Sequence, residues 1–227
     1  MITLSQLRRI RGHALWITPL DAQSVIVDAG AHAGQFSQIV HDMCGGRCVL
    51  IEANPVLAGR LAAPPGGEVV HAALGAVDGE ASFVFRENPE GGSINSRSFD
   101  VHYPTTPVEV ISLGTLRRRF NLNRIDVLKL DVEGAEFALL DQTPDHILSD
   151  IRQVTVEFHD FVPEFQGQRF YELARARLES LGFICANFAF RTHGDVLFVN
   201  SRHLHLTFLD RFFVQHIAKW LVKLRSA

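Results

Sequence analysis

The chain is poor in the features that would settle its class at once. It has three cysteines, Cys44, Cys48 and Cys185; the odd number and the spacing fit neither a disulfide framework nor a zinc knuckle, which points to buried thiols in a reducing compartment. No stretch of about 18 apolar residues runs without charge, which argues against a spanning helix. Low-complexity tracts and internal repeats are missing and proline is sparse, so neither a disordered tail nor a solenoid is expected. The net charge of −3 gives no broad basic surface, and hence no general reason to bind nucleic acid. The opening stretch, MITLSQLRRIRGHALWITPL, carries basic residues in its middle and no uninterrupted apolar segment, unlike a secretory signal. A cytoplasmic location is expected.

What is present suits one well-buried α/β domain: 227 residues, 47% hydrophobic and 21% charged. Runs rich in Val, Ile, Leu and Phe recur at SVIVDA, RCVLIEA, GEVVHAAL, IDVLKLDV, IRQVTVEFH, GFICANFAF and DVLFVN. Several are apolar on both faces, as strands of a covered parallel sheet must be. Helical patterns at 34–44, 55–63, 113–120, 135–141 and 168–181 alternate with them. The last two strands read as an antiparallel hairpin at one edge. Residues 3–17, with Leu4, Leu7 and Ile10 on neighbouring turns, read as a short basic amphipathic helix. The expected organisation is an N-terminal helix or cap over 1–23, a main domain over 24–202 with an insertion at 75–112, and an amphipathic C-terminal helix over 203–227.

The turn VIVDAGAHAGQF, residues 25–36, is the first functional signal. A strand that empties into a Gly-containing bend and a helix start presents free backbone N–H groups. A dinucleotide fingerprint would need Gly where His32 and Gln35 stand, and no G-K-[ST] follows, so neither a pyrophosphate turn nor a P-loop is present. What survives, Asp28, Gly30 and Gly34, suits a cofactor with no phosphate in the bend, such as S-adenosylmethionine. Glu52, at the end of the next strand, is placed to accept hydrogen bonds from both ribose hydroxyls.

Two further strand ends are acidic. In IDVLKLDVEGAEF, Lys129 and Asp131 share one face of an otherwise apolar strand, where unpaired charge would be costly. The plain reading is a packing salt bridge from Lys129 to Asp131 or Glu157, with Glu136 favoured at its helix start by the dipole. Yet Asp131 and Glu133 fall at the carboxyl end of the strand beside the first one, where open α/β sheets bind ligands. TVEFHDF adds Glu157, His159 and Asp160 to the same rim.

The segments VIVDAGAHAGQFS, LIEANP, HAALG…DGEASF, GGSINS, LKLDVEGAEFALL and TVEFH follow, in order, the pattern of the FkbM-type methyltransferases. The chain resembles that family over about residues 24–199, most specifically in K-x-D-x-E-G-x-E. The resemblance implies the seven-stranded class I methyltransferase (Rossmann-like) fold, mostly parallel with helices on both faces. It also implies use of S-adenosylmethionine, with S-adenosylhomocysteine as product, and methylation of a hydroxyl, often on a sugar, glycan or secondary metabolite. By this similarity Asp28, Gly30 and Gly34 line the methionine end, Glu52 the ribose and Asp131 the methyl-transfer region. His32 stands where the family often carries Asn.

For an O-methyltransferase the chemistry needs alignment and a base. His159 is the candidate base, oriented by Glu157 or Asp160, with Asp131 as the other choice. Ser93, Asn95 and Ser96 in the loop EGGSINS are candidates to hold a hydroxyl-rich acceptor, alongside Glu133 and Asp160. Asp131, Glu133, Glu157 and His159 are also suitable ligands for Mg²⁺ or Mn²⁺, but their spacing does not demand an ion, and no metal is assigned. The expected partner is a small-molecule or glycan acceptor. The C-terminal stripe Leu209, Phe213, Ile217, Trp220 and Leu224 is read first as docking on its own domain, with membrane-surface contact or a homo-oligomer as less favoured uses. The contrasting reading is a non-catalytic nucleoside- or partner-binding module that keeps the fold.

Overall fold

The computed structural model describes residues 6–85, 94, 103–159, 167–189 and 192–218. Seven strands form the central sheet: β3 (Val25–Ala29), β4 (Arg47–Glu52), β5 (Glu68–His71), β9 (Ile125–Leu130), β10 (Ile151–Val156), β11 (Phe183–Asn187) and β12 (Val196–Asn200). Their spatial order is β11-β12-β10-β9-β3-β4-β5. β3, β4, β5, β9 and β10 pair in parallel. β12 runs antiparallel between β10 and β11. The two-sided apolar runs therefore become buried parallel strands, and the last two become the edge hairpin, as their sequences predict.

One face of the sheet is covered mainly by helices, joined at one side by Leu74 and Ile111 from the insertion. Leu113 and Leu116 of α3 (Leu113–Arg119), Leu139 and Leu140 of α4 (Glu136–Gln142), Leu148 of α5 (Asp145–Leu148) and Leu178 of α6 (Gly167–Ser180) are all buried in one cluster with Leu128, Leu130, Val154 and Phe198. The other face is mixed. α1 (Gln35–Cys44) inserts Phe36 and Val40 against Ile26, Leu50 and Val127. The predicted helix at 55–63 shortens to α2 (Pro55–Ala58), where Asn54 Oδ1 caps Val56 N–H and Leu57 N–H and Gly59 follows.

The N-terminal segment corrects the sequence reading. Residues 7–16 are not a helix but a hairpin, β1 (Leu7–Ile10) and β2 (His13–Trp16), closed by the two-residue turn Arg11-Gly12 with φ of 50° and 93°. Both turn residues are left-handed, the geometry that matches strand twist in tight hairpins. Long-range bonds hold it against the sheet. Gln153 exchanges two with Trp16, Nε2 to Trp16 O at 2.9 Å and Oε1 from Trp16 N–H at 3.0 Å. Asp195 accepts Ala14 N–H at 2.8 Å and pairs with Arg9 Nε at 2.8 Å.

The insertion builds a second sheet. β6 (Ala73–Gly75), β7 (Gly79–Val84) and β8 (Thr105–Ser112) lie in the order β6-β8-β7. The run GEVVHAAL thus splits after His71, giving one strand to each sheet. At the C-terminus α7 (Phe208–Phe212) passes into a π-helical turn over Phe213–Ile217. Its docking face is Val214 and Ala218, with Phe213 partly buried, packed on Ile184, Leu197 and Val199. Leu209 faces outward with Phe208 and Phe212. The π turn bonds i to i+5 and so rotates the face away from the predicted stripe; Trp220 and Leu224 lie outside the described residues. No helix among the described residues is long and apolar enough to cross a membrane.

Asp195 is fully buried and carries the hairpin's anchoring contacts. Asp195→Ala leaves Ala14 N–H without its acceptor and should cost about 2–4 kcal/mol, read as a lower urea midpoint in equilibrium denaturation.

Candidate active site

The site forms where β3, β4, β9 and β10 end. After β3 the chain alternates through left-handed residues, Gly30 (φ 74°), His32 (φ 51°) and Gly34 (φ 72°), before α1 starts. Gly30 is required by space as well as by φ: a Cβ there would lie 1.9 Å from the Asp131 carbonyl oxygen. Gly30 N–H and Ala31 N–H both donate to Ile51 O at 3.0 Å, tying the bend to β4. Glu52 finishes that link. Its Oε2 accepts His32 N–H at 2.7 Å and its Oε1 accepts Asn54 N–H at 2.9 Å.

A cleft of about 290 Å³ opens beside this carboxylate. Gly30, His32, Glu52 and Asn54 form its polar side, while Leu57, Ala72, Leu74 and Phe83 form an apolar side. Asp131 and Glu133 also line it, Asp131 against Gly30, and Arg11 reaches it from the hairpin turn. An apolar slot beside a carboxylate whose oxygens keep spare lone pairs fits a nucleoside: the base against Phe83 and Leu74, the sugar hydroxyls donating to Glu52. Phe83 and Arg11 carry no signal in a single sequence, because the strand of the insertion and the hairpin turn become neighbours of Glu52 only by folding.

Two residues expected to line the methionine end stand behind the cleft. Asp28 is fully buried, with Oδ2 accepting Ser37 Oγ–H at 2.7 Å and Oδ1 at 3.0 Å from Lys129 Nζ. Gly34 precedes α1 and faces Leu61 and Leu50. Lys129 pairs principally with Asp28, not Glu157, and also donates to Gly30 O at 2.7 Å.

The K-x-D-x-E-G-x-E segment resolves into separate tasks. Asp131 Oδ2 lies 3.6 Å from both Lys129 Nζ and His13 Nε2. Burial works to raise its pKa, but His13, Lys129 and His159 outweigh this and hold it down at about 2. Glu133 takes a left-handed φ of 53° and Gly134 one of 100°, so the chain turns sharply into α4 at the cleft wall. Glu136, fully buried, hydrogen-bonds His159 Nδ1. The Glu136 side chain is thus more than a dipole-favoured helix start.

His159 Nε2 faces Glu133 Oε2 at 3.5 Å and Asp131 Oδ1 at 3.9 Å. Burial pulls its pKa down, yet the Glu136 hydrogen bond and the charges of Glu136, Glu133 and Asp131 carry it up to about 9. At neutral pH this imidazole already holds its proton, which suits it to orienting and donating rather than to accepting. Glu157 moves the other way from Asp131: burial and the charges of Asp131 and Glu133 raise its pKa against the pull of His159 and His13. His13, delivered by the hairpin, is the rim residue the sequence reading missed. Ser93, Asn95, Ser96 and Asp160 lie outside the described residues.

The class I methyltransferase fold is thus present, with its site at the carboxyl ends of the parallel strands. The chain belongs to the FkbM methyltransferase family: the methyltransferase FkbM domain matches residues 28–185. Comparison with curated protein sequences returns no match. Among solved structures, a chain from the Haloferax volcanii complex between the Trm112 methyltransferase activator and a candidate methyltransferase is similar at 12% identity and a TM-score of 0.36, covering 80% of this chain and 84% of that one. A score that low adds nothing to the topology already described.

Two outcomes test this geometry. Gly30→Ala should destabilise the protein by about 2–4 kcal/mol through the carbonyl clash and the left-handed φ, measured by urea denaturation. His159 has a folded pKa of about 9 against an ordinary 6.5, so its proton stabilises the fold fully below pH 6.5, and this contribution is lost as pH rises through 9. The stability gap between wild type and His159→Gln should be wide and flat in acid and narrow across that window. A gap that widens instead would place the neutral imidazole in the folded state.

Proposed function

We propose that the protein is an S-adenosylmethionine-dependent O-methyltransferase acting on a hydroxyl of a sugar, glycan or glycosylated secondary metabolite. The observation that carries this reading is the meeting, at Asp131, of a nucleoside-shaped cleft and an acidic rim. Family membership supports methyl transfer; the rim supports oxygen as the acceptor, since a hydroxyl must lose a proton and several carboxylates stand ready to take one.

S-adenosylmethionine supplies, when bound, a methyl group on a positively charged sulfur. The residues would divide the remaining work. Glu52 holds the ribose hydroxyls, and the Gly30 bend with His32 sets the position of the methionine end. Asp131, ionised at any physiological pH, favours a sulfonium next to it. Methyl transfer would break the methyl–sulfur bond, with S-adenosylhomocysteine leaving, as the acceptor's oxygen–carbon bond forms. The acceptor's proton would pass to a rim carboxylate, and Glu157, with its raised pKa, is the stronger base of the pair with Asp131. His159, already protonated and fixed by Glu136, serves as a positioning residue. Glu133 contacts the acceptor, and Ser93, Asn95, Ser96 and Asp160 are proposed to add polar contacts to its hydroxyls.

Calorimetric titration of the full chain with S-adenosylhomocysteine tests the cofactor half. Micromolar binding is expected, weakened at least tenfold in Glu52→Ala, which removes about 1.5 kcal/mol or more of charge-assisted hydrogen bonding. Binding by the wild type that is undiminished in Glu52→Ala would move the nucleoside out of this cleft. If the cofactor binds but no hydroxylated acceptor turns over, the non-catalytic reading gains.

A further inference from the structure

The hairpin adds a second histidine to the rim that already holds His159. His13 lies first in β2, fully buried, with its ring edge-on to Phe36 at 5.8 Å between centroids. Its Nδ1 faces Thr155 Oγ1 at 3.5 Å. Its Nε2 has no hydrogen-bond partner; it points to the rim, where the nearest oxygen is Asp131 Oδ2 at 3.6 Å. A buried imidazole nitrogen without a hydrogen bond is costly to keep, and this one is aimed at two carboxylates.

We propose that His13 Nε2, Asp131 and Glu157 form a binding site for a divalent first-row transition-metal ion. One ligand atom from each lies within 4.8 Å of the other two. Three ligand atoms about 2.1 Å from one ion lie about 3.0–3.6 Å from one another, so closure needs shifts of up to about an ångström per side chain. Asp131 and Glu157 are both partly exposed at the ends of adjacent strands and have room for that movement. One imidazole and two carboxylates suit Mn²⁺ or a similar ion better than Mg²⁺ or Ca²⁺, which favour oxygen alone. Thr155 beneath Nδ1 supplies the outer contact that fixes a ligating ring and turns the Nε2 lone pair toward the ion.

A second group, Asp131, Glu133 and His159, lies beside the first and shares Asp131. Its histidine is committed differently, with Nδ1 bonded to Glu136 and Nε2 paired to Glu133. Both Nε2 atoms face a carboxylate at a similar distance, 3.6 Å to Asp131 for His13 and 3.5 Å to Glu133 for His159. What selects His13 is that its Nε2 keeps no hydrogen bond, while the His159 ring is hydrogen-bonded to the buried Glu136 carboxylate. Residue 13 also lies outside the family match at 28–185, so the site draws on a segment that the family domain does not include. The assignment does not need the methyl-transfer reading, but it claims Asp131 and Glu157, so an ion bound there would replace their roles as sulfonium partner and base; only the use of the ion to hold an acceptor oxygen rests on that reading.

The test is titration of the full-length, chelator-stripped protein with Mn²⁺, following loss of the free-ion electron paramagnetic resonance signal. One ion per chain is expected, with binding at least tenfold weaker in Glu157→Gln and in His13→Gln and retained in Glu133→Gln. Pulsed resonance should show a nitrogen coupling that His13→Gln abolishes and His159→Gln leaves. Circular dichroism checks that the buried His13 variant folds, and the partly exposed Glu157 variant keeps the test decisive if it does not. No uptake by the wild type overturns the proposal, as does a site lost in Glu133→Gln but kept in Glu157→Gln. Homocysteine-nucleoside binding is scored separately, so failure of the cofactor cleft and failure of the metal site give different patterns.

Discussion

The buried ammonium of Lys129 holds the two central strand ends in place. It is 4% exposed and stands in register with Asp28 on β3 and Thr155 on β10, all on one face of the sheet. Alone, such a charge would be untenable. Three oxygens surround it, Asp28 Oδ1 at 3.0 Å, Gly30 O at 2.7 Å and Asp131 Oδ2 at 3.6 Å, and the Phe36 ring lies 5.9 Å away. Burial works to lower its pKa, but Asp28 and Asp131 more than reverse this, so the cation persists. Because Gly30 O is one of its acceptors, the same charge that neutralises Asp28 also orients the cofactor bend. Because Asp131 is another, it also fixes where the cleft ends and the acidic rim begins.

From that anchor the rim acquires a graded electrostatic character. Asp131, against His13, Lys129 and His159, is a strong acid despite its burial; Glu157, whose pKa is raised first by burial and then by the charges of Asp131 and Glu133, is a weaker one. The two sit on adjacent parallel strands, so their separation is set by the sheet and not by flexible loops. Glu136 and His159 lock together behind them and give the rim a fixed positive group. A site built this way keeps on one rim both a permanent negative charge at Asp131 and a carboxylate of higher proton affinity at Glu157.

Much of this was legible in the sequence where the determinant is local. Two-sided apolar runs gave the parallel strands, and Glu52 and Asp131 fell at strand ends because strand length alone puts them there. The failures are tertiary. Leu4, Leu7 and Ile10 fit a helical turn as well as they fit a strand, and the hairpin wins only because Gln153 and Asp195, more than 130 positions away, supply partners to its backbone. The two-residue turn Arg11-Gly12 was the available local signal. The sequence casts His159 as a base oriented by Glu157 or Asp160; the contact that holds its proton comes instead from Glu136, buried on another element. Asp28 looked like a cofactor ligand, but whether a strand-end carboxylate faces a ligand or a lysine depends on the neighbouring strand's register.

The backbone itself records where ligand contact has been favoured over comfort. His32 and Glu133 both hold left-handed φ angles, and both line the cleft. Side-chain residues tolerate that region at a cost that glycine avoids, and Gly30, Gly34 and Gly134 stand beside them in the same conformation. Each bend could have been built from glycine throughout. Retaining His32 and Glu133 keeps a polar side chain on the cleft wall at the point of tightest turning, while Glu52 secures one bend through His32 N–H and His159 faces the other through Glu133. Fold and cleft therefore share contacts: the groups that stabilise the two strained turns also line the cleft wall or stand beside it.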